Sequence, residues 1–128
     1  MKRVGQLSGL LLAGLLLVGC GGDSHDKVSN DMVTAMEQLV KTLESVKDEK
    51  SAKAAAPKIE AFAKKMESIE ERMKEVGEPS AEVEEQLKAK YETRRAEVER
   101  KLGGEMMRIH MNPALSGALG DALSKITN

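Results

Sequence analysis

Apolar residues recur at helical spacing along most of this chain. In three successive segments they repeat every three or four residues, which places them on one face of a helix and excludes a strand. The middle segment follows a strict heptad, the spacing of helices that pack along a common seam. The three sets are Val28, Met32, Met36, Leu39, Leu43 and Val46; Ile59, Phe62, Met66, Ile69, Met73 and Val76; and Val83, Leu87, Tyr91, Val98, Leu102, Met106 and Ile109.

Residues that start and stop helices mark the ends of these segments. Gly77 occupies a C′ position, and Pro79 just beyond it forbids continuation of the second helix. Pro113 suits the first position of a short fourth helix that carries Leu115, Leu119, Leu123 and Ile126. Gly103 and Gly104 interrupt the third helix at a cost of about 2 kcal/mol relative to alanine, yet the apolar residues on both sides stay in phase. Candidate N-caps are Ser24 or Asp26, then Ser51 and Ser80.

These signals predict an all-α fold with an antiparallel arrangement of neighbouring helices, either a closed bundle or a more open hairpin. Three long helices are expected near 25–49, 51–76 and 80–111, followed by a short C-terminal helix at 113–126. The Asp48-Glu49-Lys50 stretch is interpreted as the first turn. The second helix is expected to supply the seam of the bundle.

Composition supports the helical class and narrows the choice of partner. Phe62 and Tyr91 are the only aromatic residues, and Leu, Ile, Val, Met and Ala stand among abundant Glu and Lys. The chain has 20 Lys and Arg, of which Lys2 and Arg3 lie in the first 19 residues. Residues 20–128 therefore contain 18 basic and 21 acidic residues, a net charge of −3. A mildly acidic chain argues against a nucleic-acid partner, which would require a basic face.

The N-terminal segment has the layout of an export signal. Lys2 and Arg3 precede an apolar run from Leu10 to Val18 that is too short to span a bilayer. The sequence Leu17-Val18-Gly19-Cys20 resembles the lipobox of bacterial lipoproteins, and Cys20 is the single cysteine of the chain. The resemblance implies that residues 1–19 are a signal peptide and that Cys20 becomes the first mature residue. It also implies that Cys20 carries diacylglyceryl and N-acyl groups of the palmitate type.

The remaining organisation follows from that resemblance. Residues 20–24 form the lipidated cysteine and a short tether, and 25–128 form one helical domain. The protein is expected in the cell envelope, attached to the membrane by its acyl chains. In enterobacterial lipoproteins an Asp directly after the cysteine retains the protein in the inner membrane. Because Gly21 stands there, the periplasmic side of the outer membrane is favoured if the host is Gram-negative.

Catalytic signals are few. His25 and His110 are far apart in sequence, and no segment resembles a nucleophile elbow, a phosphate loop or a zinc signature. The chain is therefore expected not to be an enzyme, and no cofactor is expected. The run Ser51–Ile59 resembles segments of small helical bacterial lipoproteins without assigned activity, and this resemblance implies no functional residues.

One cluster has metal-binding chemistry. The cluster consists of Met106, Met107, His110 and Met111. Met106 and His110 are four residues apart, as are Met107 and Met111, and Met107 and His110 are three apart, so a helix brings each pair of side chains together. Thioether and imidazole groups favour Cu(I) or Ag(I), and the spacing resembles Met/His motifs in periplasmic copper- and silver-binding proteins. Methionines at these positions also fill irregular gaps in a core.

Two functions are therefore carried forward. The first is a non-enzymatic, membrane-anchored helical module that contacts a helical protein partner or a second copy of itself. The second is a soft-metal-binding envelope protein that uses the C-terminal Met/His cluster.

Overall fold

The computed structural model describes residues 24–127, of which 89% are helical. The helices are α1 (His25–Glu44), α2 (Glu49–Val76), α3 (Ala81–His110) and α4 (Pro113–Thr127). The all-α prediction is confirmed for this part of the chain. The signal peptide 1–19, Cys20, the tether up to residue 23 and the terminal Asn128 lie outside the described residues.

Most helix ends fall where the sequence places them. The hydroxyl of Ser24 accepts the Lys27 N–H at 3.1 Å, and the hydroxyl of Ser80 accepts the Val83 N–H at 3.3 Å, so both are N-caps. Gly77 follows α2 with a φ of 82°, a conformation that residues with a side chain rarely adopt. Helix α3 continues through Gly103 and Gly104, as predicted.

The first turn differs from the prediction. Helix α1 ends at Glu44, five residues early, and buried Val46 then anchors the connecting segment in the core. The N-cap of α2 is Asp48, whose carboxylate accepts the Ser51 N–H at 2.7 Å, while the Ser51 hydroxyl accepts the Asp48 N–H at 3.0 Å. The prediction of Ser51 as the cap was wrong because Ser51 takes the N3 role of a capping box, in which a short hydroxyl replaces the usual Glu or Gln.

Helices α1 and α2 form an antiparallel pair. At one end the imidazole Nε2 of His25 lies 2.9 Å from the carbonyl oxygen of Gly77. Two turns further along α1, the Arg72 guanidinium donates to the Asp31 carboxylate at 2.7 Å. Sequence numbers rise along one helix and fall along the other, so the short 45–48 connection folds α2 back along α1.

Helix α3 packs on another side of α1 and runs parallel to it. Lys90 Nζ lies 2.8 Å from an Asp26 carboxylate oxygen at the start of α1. At the other end, the Arg108 guanidinium donates to the Leu43 carbonyl at 2.9 Å. No Cα of α2 lies within 8 Å of a Cα of α3, so α1 separates these two consecutive helices.

Helix α4 returns between α2 and α3 and lies against both, whereas none of its Cα atoms comes within 8 Å of a Cα of α1. The four helices therefore occupy the corners of a bundle in which α1 is diagonal to α4 and α2 is diagonal to α3. Helix α4 has 15 residues against 28 in α2, and it runs alongside the beginning of α2 to where Lys125 Nζ contacts Glu60 at 2.8 Å. The fourth corner is filled along only about half of the bundle.

The core follows this arrangement. The larger buried cluster joins all four helices at the α4 end, and a smaller one of Val28, Ala35 and Ile69 joins α1 to α2 at the other end. Helix α1 also buries Val33 and Val40, outside its predicted apolar set, because it packs against two neighbours. The predicted seam on α2 is thus only partly covered, and α1 is the central helix of the open half. The members of the larger cluster are Leu39, Leu43, Val46, Ala52, Ala55, Ile59, Ile109, Leu115, Leu119 and Ala122.

Candidate functional site

The predicted Met/His cluster lies at the end of α3 and is divided by the fold. Met106 is partly buried and packs against the larger core cluster, so it contributes to the core. Met107 and Met111 are 66% and 76% exposed, and His110 beside them is exposed too. The Met111 N–H donates to the Met107 carbonyl at 2.9 Å, which keeps these two methionines on successive turns of one face.

This surface offers three soft or borderline ligands from a single turn. Two thioethers and one imidazole suit a monovalent soft cation. Arg108 stands in the same turn, but its charge is shared between Glu105, at 2.7 Å, and the Leu43 carbonyl. Within residues 24–127 no group of three or more His, Cys, Asp or Glu side chains is arranged to hold a metal ion. The methionine sulfurs are therefore the distinctive donors of this surface.

A second feature was missed by sequence reasoning: an apolar trough in the half of the bundle that α4 does not reach. We call it the methionine trough. Two successive cavities of about 290 and 540 Å³ make it up. The residues that define it are Met32 and Met36 on its α1 floor; Phe62, Met66 and Met73 on α2; Leu87, Tyr91 and Leu102 on α3; and Ile126 at the end of α4.

The trough consists of the apolar faces that a longer fourth helix would cover. Met32 and Met36 are one turn apart on α1, and Met66 and Met73 are two turns apart on α2, so each pair stays on one face. All four are at least partly exposed, and Met73 is 43% exposed. These methionines belong to the predicted core sets, which is why sequence reasoning did not single them out. The available signal was the short length of the final helix.

Charged side chains of both signs stand around this apolar floor. Glu84, Lys88 and Arg95 border the first cavity, and Glu67, Glu70 and Lys125 border the second. An apolar centre with a polar rim is the usual composition of a binding surface. The rim carries both signs of charge, so it gives no preference for an anionic or a cationic ligand.

The start of α1 is fixed to α3 by a polar cluster next to the trough. The Asp26 carboxylate accepts from Lys90 Nζ at 2.8 Å and from the Tyr91 hydroxyl at 2.9 Å. These two hydrogen bonds, that of Lys90 first, lower the pKa of Asp26. Burial, followed by the bond to Asp26, raises the pKa of Tyr91. The first turn of α1 is therefore held firmly where the chain enters the bundle.

Comparison with protein-family models, curated protein sequences and solved structures found no significant match. No helix in residues 24–127 is long and apolar enough to cross a membrane.

Proposed function

We propose that this chain is a non-enzymatic lipoprotein of the bacterial cell envelope, anchored to the membrane through acyl chains on Cys20. Its helical bundle then acts as a protein-interaction or structural module. The observation that carries the proposal is the sequence Leu17-Val18-Gly19-Cys20, placed four residues before the Ser24 cap at which the fold begins.

The short tether supports a role at the membrane surface. Ser24 is the fourth residue after Cys20, and an extended chain reaches at most about 3.5 Å per residue, so the bundle stays within roughly 15 Å of the leaflet. Each buried CH₂ of an acyl chain contributes about 0.8 kcal/mol, and two chains already hold a protein stably. A triacylated Cys20 is accordingly a permanent anchor.

Mass spectrometry of the protein isolated from its host tests the anchor. We expect a mature chain that begins at Cys20 and carries three acyl groups, and we expect Cys20→Ser to yield an uncleaved or soluble product. Gly22→Ala keeps the cysteine and serves as the control. A Cys20→Ser protein that still fractionates with membranes as a cleaved mature chain refutes the assignment.

The interaction role is tested by crosslinking in intact cells, followed by binding of the purified lipoprotein to each captured candidate. Light scattering of the purified protein separates a partner from a second copy, since intramolecular and intermolecular use of a heptad look alike in sequence. A monomer that captures no protein reproducibly contradicts the interaction role.

For a Gram-negative host we propose the periplasmic side of the outer membrane as the location, because Gly21 follows Cys20. Gly21→Asp is expected to shift the protein to the inner membrane in a density-gradient separation, and Gly21→Ser is the matched control. Equal distribution of the two variants contradicts this location signal.

A second candidate function is binding of Cu(I) or Ag(I) by Met107, His110 and Met111, with Met106 as the fourth predicted ligand. The specific observation in its favour is the high exposure of Met107 and Met111, 66% and 76%. Calorimetric titration with Ag(I) tests it: Met107→Leu with His110→Ala abolishes binding if the cluster is the site. Met73→Leu, which removes an exposed methionine elsewhere, leaves binding intact.

A further inference from the structure

We infer that the methionine trough is a binding site for an acyl chain carried on Cys20 of the same molecule, occupied when the protein is outside a bilayer. This inference rests on the proposed acylation of Cys20. It adds a ligand of defined chemistry, a linear saturated hydrocarbon chain, and an intramolecular site for it.

In residues 24–127 the trough continues along the corner of the bundle that α4 occupies. Helix α4 fills the space between α2 and α3 only as far as Lys125 and Ile126, and the same space continues empty beyond them. Along α1 the trough extends from Ser29 to Leu39, which is about 15 Å at 1.5 Å per residue. Within the described residues the trough is therefore elongated along α1.

The trough lies beside the first turns of α1, the helix to which the anchor is joined. The end of the trough away from α4 lies near Met32 and Tyr91, beside the first turns of α1. Met32 is eight residues, or about 12 Å along the helix, from Ser24. The four peptide steps from Cys20 to Ser24 span up to about 14 Å, so an acyl group attached at Cys20 reaches this end of the trough. A ligand carried by the N-terminus enters the trough without crossing the bundle.

The side chains that line the trough are mostly flexible and apolar. Met32, Met36, Met66 and Met73 present flexible thioether side chains that adapt to ligands without a fixed shape. Phe62, Leu87 and Leu102 complete an apolar surface, and the charged residues stand at the rim. Cavities of about 290 and 540 Å³ fall within or close to the range of small-molecule sites. A saturated hydrocarbon chain needs no hydrogen-bond partner from such a surface.

The single cysteine allows a direct test. Residues 20–128 contain every helix and contact described above, and Cys20 is the one thiol. Alkylation with N-hexadecylmaleimide attaches one C16 chain there, and N-methylmaleimide gives the matched control. The seven methionines that follow Cys20 then report the position of the chain through their ¹³C-methyl NMR signals, four from the trough and three from the far end of α3.

We expect the methyl signals of Met32, Met36, Met66 and Met73 to shift in the hexadecyl protein, while those of Met107 and Met111 do not. The modified protein stays monomeric and melts at a higher temperature than the methyl control. In Met36→Gln with Met66→Gln, the hexadecyl chain loses the stabilising effect and causes self-association. The same double change at Met107 and Met111 has no effect, and circular dichroism verifies the fold of each variant.

Unmoved trough signals overturn the inference, as does uniform broadening of all seven signals, which indicates micelle-like association. A modified dimer whose trough signals shift only through contact with a second copy also overturns it. None of these results depends on acylation in the cell. Mass spectrometry of Cys20 from the host decides the proposed function separately, so failure of either idea is recognised on its own.

Discussion

The two glycines inside α3 offer a quantitative test of the fold. Gly103 and Gly104 lie in the interior of a 30-residue helix and are exposed. A Cβ built at either position meets no atom within 4 Å, and neither glycine has a positive φ. An alanine therefore fits both sites without strain, and the replacement removes only the conformational freedom that glycine gives the unfolded chain.

The magnitude follows from helix propensity. Glycine costs about 0.8–1.0 kcal/mol relative to alanine in a helix interior, so Gly103→Ala with Gly104→Ala should raise the free energy of unfolding by about 2 kcal/mol. The two positions are adjacent, but helix propensity is counted per residue and neither side chain gains a tertiary contact, so the two contributions are summed. With an unfolding entropy of about 2.1 cal/mol/K per residue over roughly 100 residues, the expected rise in Tm is about 9 °C.

Urea unfolding followed by circular dichroism measures this effect. The double variant should move the transition midpoint upward and leave the slope unchanged, since the surface exposed on unfolding is the same. Gly77→Ala is the matched control, because Gly77 has a φ of 82° where a Cβ is strained. With a ψ of −174° as well, Gly77 lies in a backbone region that is essentially confined to glycine, so the variant should lose about 1–3 kcal/mol. The same chemical change is expected to act in opposite directions at the two places.

A double variant no more stable than the original chain would refute a continuous helix through residues 103 and 104. In that case α3 would break there, and Leu102 on the trough wall and Met106 in the core would lose their common register. A changed slope would instead indicate an altered denatured state. The sign of the Gly77→Ala effect shows whether the assay resolves backbone strain in this protein.

Three further predictions follow from single contacts. Leu119 is fully buried in the larger cluster, so Leu119→Ala should cost about 2–5 kcal/mol in urea unfolding, whereas Met107→Ala at an exposed site should change stability by less than about 0.5 kcal/mol. The pKa of Asp26 is lowered by the bonds from Lys90 and Tyr91, so its stabilising effect is present above the ordinary value of 3.8 and is lost as the pH falls through the lowered pKa. Asp26→Asn should therefore reduce the difference in urea midpoint between neutral and acid solution, and an unchanged difference would contradict the pairing. Tyr91→Phe removes one of these donors, so the Asp26 pKa should rise toward its ordinary value in a carboxyl NMR titration, with a loss of about 1 kcal/mol in stability.

The helices were predictable because their signals are local. Apolar spacing set their faces, and Ser80, Gly77 and Pro113 set their ends, through capping and backbone geometry that involve only near neighbours. The cap at Asp48 was missed because Ser51 is a good cap in isolation, and the reciprocal bond that makes it the N3 residue depends on the path of the whole turn. The prediction was wrong about where α2 begins, not about the presence of the helix.

The candidate sites also differ in how much of each depends on near neighbours in the sequence and how much depends on packing. The spacing of Met107 and Met111 was sufficient to place them on one face, since a helix fixes neighbours four residues apart. Met106 lies in the core and not on that exposed face because α4 packs against one side of α3, which the local sequence does not show. The methionine trough was invisible in the sequence because Met36 and Met66 look like core residues until the end of α4 is located.

Sequence patterns were sufficient to predict the four helices of residues 24–127 and their apolar faces, because each depends on residues close together along the chain. Tertiary structure alone decided which helix is central and which apolar faces stay uncovered. Helix α1 is central to the open half because Val33 and Val40 add a second buried face against α3. Among the described residues, the 15-residue α4 lies along only part of the 28-residue α2, and only the packing shows which part of α2 it covers.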